Sequence, residues 1–305
     1  MLIARTICLA LAIPALAAAQ SAPPAAASQN PSPMVEETRA HERLVRREPG
    51  GTRASVIGPE GRPAELWIPS ASAGDSVDVV IHFHGAAWIP QQAAAALPTP
   101  AVVVAVNLGA GSGTYDRAFS RPEAFDSLLA AIDRAMATSL GRAVRVRHLT
   151  FSAFSAGHGA VRAILREPRH VARVHGILLL DGMHTSYVPA GAVLATGATL
   201  DAVNLTGFVE FARAAVRGEK RFVVSHSEIF PGTFASTTET ADYLLRALAM
   251  RRAAVLRWGP RGMQQVGEGR AGGFLLLGFA GNSAPDHVDH LHAMPELLTR
   301  LLHSR

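Results

Sequence analysis

The chain predicts an α/β fold with a mostly parallel central sheet, helices on both faces and an N-terminal β-hairpin. Three observations predict it. Short apolar, β-branched runs alternate with stretches of helical period. The runs at 77–83 and 102–106 are nearly continuous rather than alternating, as strands buried on both faces require. Strand, crossover helix and strand repeat along the chain, and right-handed connections turn that order into a parallel sheet.

The elements follow in order. Residues 54–57 and 64–68 form the hairpin, with 58–61 as its turn. In 121–140, Pro122 sits where a helix needs no donor, Phe125, Leu128, Leu129, Ile132 and Met136 recur at helical spacing, and Gly141 closes the run. Residues 144–151, 176–180, 221–224 and 274–277 read as strands. Residues 156–165, 208–216 and 238–250 read as helices, and a last helix covers 285–302. In such a sheet the functional side chains gather beyond the carboxyl ends of the strands.

With 305 residues, 49% hydrophobic and 17% charged, the chain can bury a full core, and residues 34–305 read as one domain. Residues 1–19 have a basic start at Arg5, an apolar run and three alanines, the pattern of a signal peptide. Export to the periplasm or beyond is therefore expected, followed by a flexible linker rich in Ala, Pro, Ser and Gln at 20–33. No later run is long enough for a membrane helix, so no membrane partner is expected after cleavage. Cys8, the sole cysteine, lies in the signal segment, which excludes disulfides, thiolate metal sites and a cysteine nucleophile from the mature chain. The net charge of +5 rests on scattered arginines, with Lys220 the single lysine, and predicts no nucleic-acid partner.

The sharpest chemical signal is Ala153-Phe154-Ser155-Ala156-Gly157, placed where a buried strand gives way to a helix. A serine needs its hydroxyl forced into the open and its proton taken by a base. A tight strand-to-helix turn exposes it and aims the first helix amides at a developing oxyanion. Small residues two places to either side, Ala153 and Gly157, let the backbone pack that closely. A helix merely capped by serine is the plain alternative.

Here the sequence resembles the α/β-hydrolase superfamily, over roughly residues 64–302, with Ala153 in place of the first glycine of the G-x-S-x-G elbow. The resemblance implies a serine hydrolase with Ser155 as nucleophile, acting on a small-molecule ester or, less readily, an amide, with no cofactor. His84-Gly85-Ala86, after the strand at 77–83, resembles the oxyanion loop, so the donors would be the amides of Ala156 and of Gly85 or Ala86. The chain order serine, acid, histidine places the base in 280–292. His287 is expected there in the first turn of the last helix, with His290 as the alternative. Asp181, directly after three leucines, is the expected acid, and Glu228, one strand later, is the alternative.

The loops 108–118 and 184–205 are expected to overhang the site. Gly109-Ala110-Gly111-Ser112-Gly113 lacks the lysine of a phosphate-binding loop and reads as a substrate-side segment. His84, Trp88, Tyr115 and His184, with Phe230 and Phe234, are candidates for the pocket wall, although His84 is expected to act structurally. Two rival readings use the same residues. Thirteen histidines, among them His82, His84, His184, His226, His287, His290 and His292, suit a metal-dependent hydrolase. A non-catalytic binding protein of the same fold is the other.

Overall fold

A computed structural model describes residues 39–72 and 74–303. The expected signal peptide at 1–19 and linker at 20–33 lie outside the described residues. No described helix is long and apolar enough to cross a membrane.

A ten-stranded sheet organises the chain. Its strands are β1 (Gly51–Ile57), β2 (Pro63–Pro69), β3 (Ser76–Phe83), β4 (Val102–Val106), β5 (Arg145–Phe154) and β6 (Val174–Leu180). After the short pair β7 (Tyr187–Val188) and β8 (Thr199–Leu200) come β9 (Arg221–His226), β10 (Ala253–Trp258), β11 (Gln264–Ala271) and β12 (Phe274–Phe279). The spatial order is β1-β2-β4-β3-β5-β6-β9-β12-β11-β10. From β4 to β12 neighbours run parallel, while β1, β2, β10 and β11 close the two sides with antiparallel pairing.

The sheet is covered on both faces. On one face pack α3 (Pro122–Leu140), α4 (His158–Ile164), α6 (Thr206–Val216) and α7 (Thr237–Ala247), through Phe125, Val161, Phe208 and Leu244. On the other lie α1 (Trp88–Ala95), α8 (Ala284–His292) and α9 (Met294–His303), through Ile89, Leu291 and Leu298. Alternation along β3 divides the two cores, with Ile81 and Phe83 facing the first and Val80 the second. The rings of Phe125 and Phe151 meet edge to face at 5.5 Å. Each fully buried side chain of that size stabilises the fold by about 1.5–3 kcal/mol.

Three elements depart from the sequence reading. The β10–β11 hairpin was not expected, because Gly267 and Gly269 depress strand propensity in β11 and β10 is an exposed edge strand. The segment expected as a loop at 108–118 is helical from Ser112, forming α2 (Ser112–Ala118). The last helix breaks at Ala293, because Pro295 has no N–H to donate to the Leu291 carbonyl and suits the first turn of a new helix. The remaining α-helix, α5 (Pro168–Arg173), is a six-residue segment between α4 and β6.

Candidate active site

Three strand ends meet at one place. β5 ends in Phe154, and Ser155 follows with φ of 46°, left-handed backbone that is strained for a residue with a side chain. A short 3₁₀ turn, Ser155–Gly157, then leads into α4. A Cβ on Gly157 would lie 2.1 Å from the carbonyl oxygen of Phe83, so the elbow rests directly on the end of β3. That contact brings the segment His84-Gly85-Ala86 beside Ser155. His84 and Gly85 both have positive φ, 72° and 115°. On the opposite flank a Cβ on Gly182 would lie 2.8 Å from the Ser155 carbonyl oxygen, so the loop after β6 packs on the elbow as well.

Asp181 directly follows β6 and is buried. Its Oδ2 accepts from Ser227 Oγ at 2.7 Å, and its Oδ1 accepts from the Ser227 amide and Thr237 Oγ1, both at 2.8 Å. Thr237 opens α7, so the carboxylate also faces the positive end of that helix. Burial alone would raise the Asp181 pKa. The neighbouring His290 and His287 and the Ser227 hydrogen bond outweigh it and hold the carboxyl well below the usual range.

His287 stands in the first turn of α8, whose N-cap Ser283 exchanges hydrogen bonds with Asp286. Its Nδ1 is 2.7 Å from Asp181 Oδ2, and its ring tilts over Phe154 at 4.6 Å between centroids. The carboxylate fixes the proton on Nδ1, which leaves Nε2 as the basic nitrogen. Among the described residues the Ser155 hydroxyl makes no hydrogen bond to His287. Such bonds often close only when substrate is bound.

The alternatives lie elsewhere. Glu228 is exposed, and the His287 Nδ1 it was expected to hold is taken by Asp181. His290 is buried, with Nδ1 on Ser225 Oγ at 2.9 Å. Of the residues expected to line the pocket, His184 and Phe234 do so, together with Gly111, Ser112, Ser155 and Arg162, around a cavity of about 530 Å³. Tyr115 does not. It is fully buried, and its hydroxyl ties His84, Leu108 and Asn107 together, because α2 turns the ring into the core. His84 is held in that network and lies outside the wall of this cavity, as does Trp88, which packs edge-on against His292. Phe230 is exposed and likewise outside the wall.

The histidines expected for a metal centre are dispersed. His82 is a core residue with Nδ1 on Ser152, although its Nε2 has no partner. His226 is buried, with Arg252 on Nε2. Among the described residues the trio of metal-ligand types close enough to converge is His41, Asp286 and Asp289, and Arg39 already pairs with both carboxylates.

Sequence reasoning did not find Ser227, Thr237 or Arg162. Arg162 had a readable signal in its place on the helix that follows the elbow, one turn beyond His158. Ser227 and Thr237 had none, because strand order alone brings them to Asp181.

No protein-family model matches the chain. No curated protein matches its sequence. Solved structures are similar to it at low identity. An enterobactin esterase from Shigella flexneri is 13% identical over 84% of this chain and 61% of that chain, with a TM-score of 0.49. Carboxyl esterase 2 from Tuber melanosporum is 14% identical over 86% of this chain and 90% of that chain, with a TM-score of 0.45. A puromycin-hydrolyzing peptidase from Mycobacterium tuberculosis is 16% identical over 80% of this chain, with a TM-score of 0.41, and this chain spans 38% of its length. The strand order, the elbow on β5 and the loops that meet it make this an α/β-hydrolase fold, with no subfamily singled out.

Proposed function

We propose that the chain is a serine hydrolase that cleaves carboxylic esters, and amides less readily, through an acyl-enzyme on Ser155. The observation that carries the reading is the Asp181–His287 pair set against the strained elbow. His287 Nε2 takes the proton of Ser155 Oγ as the oxygen attacks the carbonyl carbon. Asp181 holds the ring's tautomer and stabilises the imidazolium. The amides of Ala156 and of Gly85 or Ala86 donate to the oxyanion, a contribution typically worth about 10²–10³ in turnover for each donor. His287 then returns the proton to the leaving group, and water, deprotonated by the same nitrogen, releases the acid.

The leader-like segment at 1–19 supports action in the periplasm or outside the cell, by a single catalytic domain spanning 34–305. The test is covalent labelling. A fluorophosphonate is expected to modify Ser155 and abolish hydrolysis of a short nitrophenyl ester, with Ser155→Ala neither labelled nor active. Activity that persists in Ser155→Ala and disappears with a strong chelator would reject the serine mechanism in favour of a metal-dependent one.

A further inference from the structure

Arg162 stands seven residues beyond Ser155 on the helix that the elbow begins. Within α4 it lies one turn beyond His158, on the same helix face. Helical side chains lean toward the N-terminus, so its guanidinium leans toward the elbow end of α4. Both residues line the same cavity.

The charge around Asp116 is unbalanced. Arg162 Nε donates to Asp116 Oδ2 at 2.7 Å, and Arg166 holds both oxygens of that carboxylate at 3.0 and 2.9 Å. Two guanidinium groups share this one carboxylate, while the other acid behind the wall, Asp201, is held by Ser186 and Asn204 and pairs with no described arginine. The Nη groups of Arg162 make no hydrogen bond to any described residue. No described Asp or Glu lines the cavity. The cavity's imidazoles do not alter the balance. Burial holds His158 neutral with its pKa lowered to about 3, and burial lowers that of His184 as well.

A partly desolvated guanidinium with free, coplanar donors is suited to a carboxylate, which it can grip through two parallel hydrogen bonds. We infer that the substrate carries a carboxylate that lies in the same cavity as its scissile carbonyl and is bound by the Nη groups of Arg162. This rests on the proposed serine hydrolase reading and names its substrate class: half-esters of short dicarboxylic acids, or acylated hydroxy acids. Arg162 then sets specificity, and the cavity that it shares with Ser155 limits the spacing between the reacting carbonyl and the anion.

Matched esters test it. Monomethyl glutarate is compared with dimethyl glutarate, and 4-acetoxybutyrate with its methyl ester, so that each pair differs in the anion. Wild type is expected to prefer the anionic member of at least one pair in kcat/KM, and added salt is expected to shrink that preference. Arg162→Gln should lower the preference about 10- to 100-fold, mainly through KM, as loss of a charged hydrogen bond implies. Asp116→Asn should move it the opposite way, lowering KM for the anionic ester, because it removes the competing carboxylate. A purely structural ion pair would make both variants worse alike.

Binding gives a second readout that needs no turnover. In Ser155→Ala, monomethyl glutarate or 4-acetoxybutyrate should raise the melting temperature, and adding Arg162→Gln should abolish the rise. No preference in either pair and no such rise overturns the inference, while fluorophosphonate labelling of Ser155 still stands for the hydrolase reading. A thermal shift that depends on Arg162, in a protein whose Ser155 cannot be labelled, would reject the hydrolase reading and retain the anion site.

Discussion

His287 Nδ1 lies 2.7 Å from Asp181 Oδ2, across 106 residues of chain. The carboxylate accepts further hydrogen bonds from Ser227 and Thr237, so it cannot rotate away from the imidazole without breaking several contacts. An asparagine at 181 would offer the ring an amide donor in place of one acceptor and favour the wrong tautomer. Asp181→Asn is expected to lower kcat on a nitrophenyl ester by about 10³–10⁴ while KM changes little. A loss under tenfold, in a variant with an unchanged circular dichroism spectrum, would remove Asp181 from the mechanism.

The parts of this site that were legible in the sequence are those carried by local pattern. Ser155 stands out because a buried strand, a small-residue turn and a helix are contiguous, and His287 because Ser283 and Pro285 mark the helix start. Asp181 could be picked from its place after three leucines, since an acid there needs partners. The partners themselves were not legible. Ser227 and Thr237 reach Asp181 only because β6 and β9 are neighbours, a relation between segments that share no pattern. Tyr115 was misplaced for the same kind of reason: a glycine-rich stretch reads as loop, yet α2 folds its ring inward. The β10–β11 hairpin was missed because edge strands carry little apolar alternation.

Gly157 is fixed by space. A Cβ there would sit 2.1 Å from the Phe83 carbonyl oxygen, which is backbone and cannot swing aside. Gly157→Ala must push β3 away from the elbow and carry the amides of Gly85 and Ala86 with it. A destabilisation of about 1–3 kcal/mol is expected from overpacking, with a kcat loss near that of a lost oxyanion donor, about 10²-fold. Urea melts and steady-state kinetics of the one variant measure both. Wild-type turnover with the alanine in place would show that the two strand ends are not coupled.

Acid should unfold the protein through its buried imidazoles. Burial lowers His82 and His226 to about 4 and His158 to about 3, against 6.5 for a free side chain. Each binds a proton less readily folded than unfolded. The stability tied to keeping it neutral is therefore complete above about pH 6.5 and is lost as pH falls toward the folded values. Each imidazole contributes a slope of up to about 1.4 kcal/mol per pH unit in that window. Urea denaturation at pH 7, 6 and 5 should show stability falling, and His82→Asn should flatten the fall. A free energy that stays level from pH 7 to 5 is the contrary result.

The helix that carries His287 is pinned from the other end of the chain. Asp289 is fully buried, and Arg39, His41 and Arg43 converge on it at 2.5, 2.7 and 2.6 Å. Removing one member of a buried charge cluster strands the others, so Asp289→Asn is expected to cost about 3–5 kcal/mol. The exposed pair of Arg46 and Glu48 provides the contrast, since Glu48→Gln should cost no more than about 1 kcal/mol. Because His287 lies two residues before Asp289, loosening this anchor should also lower kcat more than it raises KM. Equal urea midpoints for the two variants would mean that the N-terminal segment does not hold α8, and that the base is positioned by Asp181 and Phe154 alone.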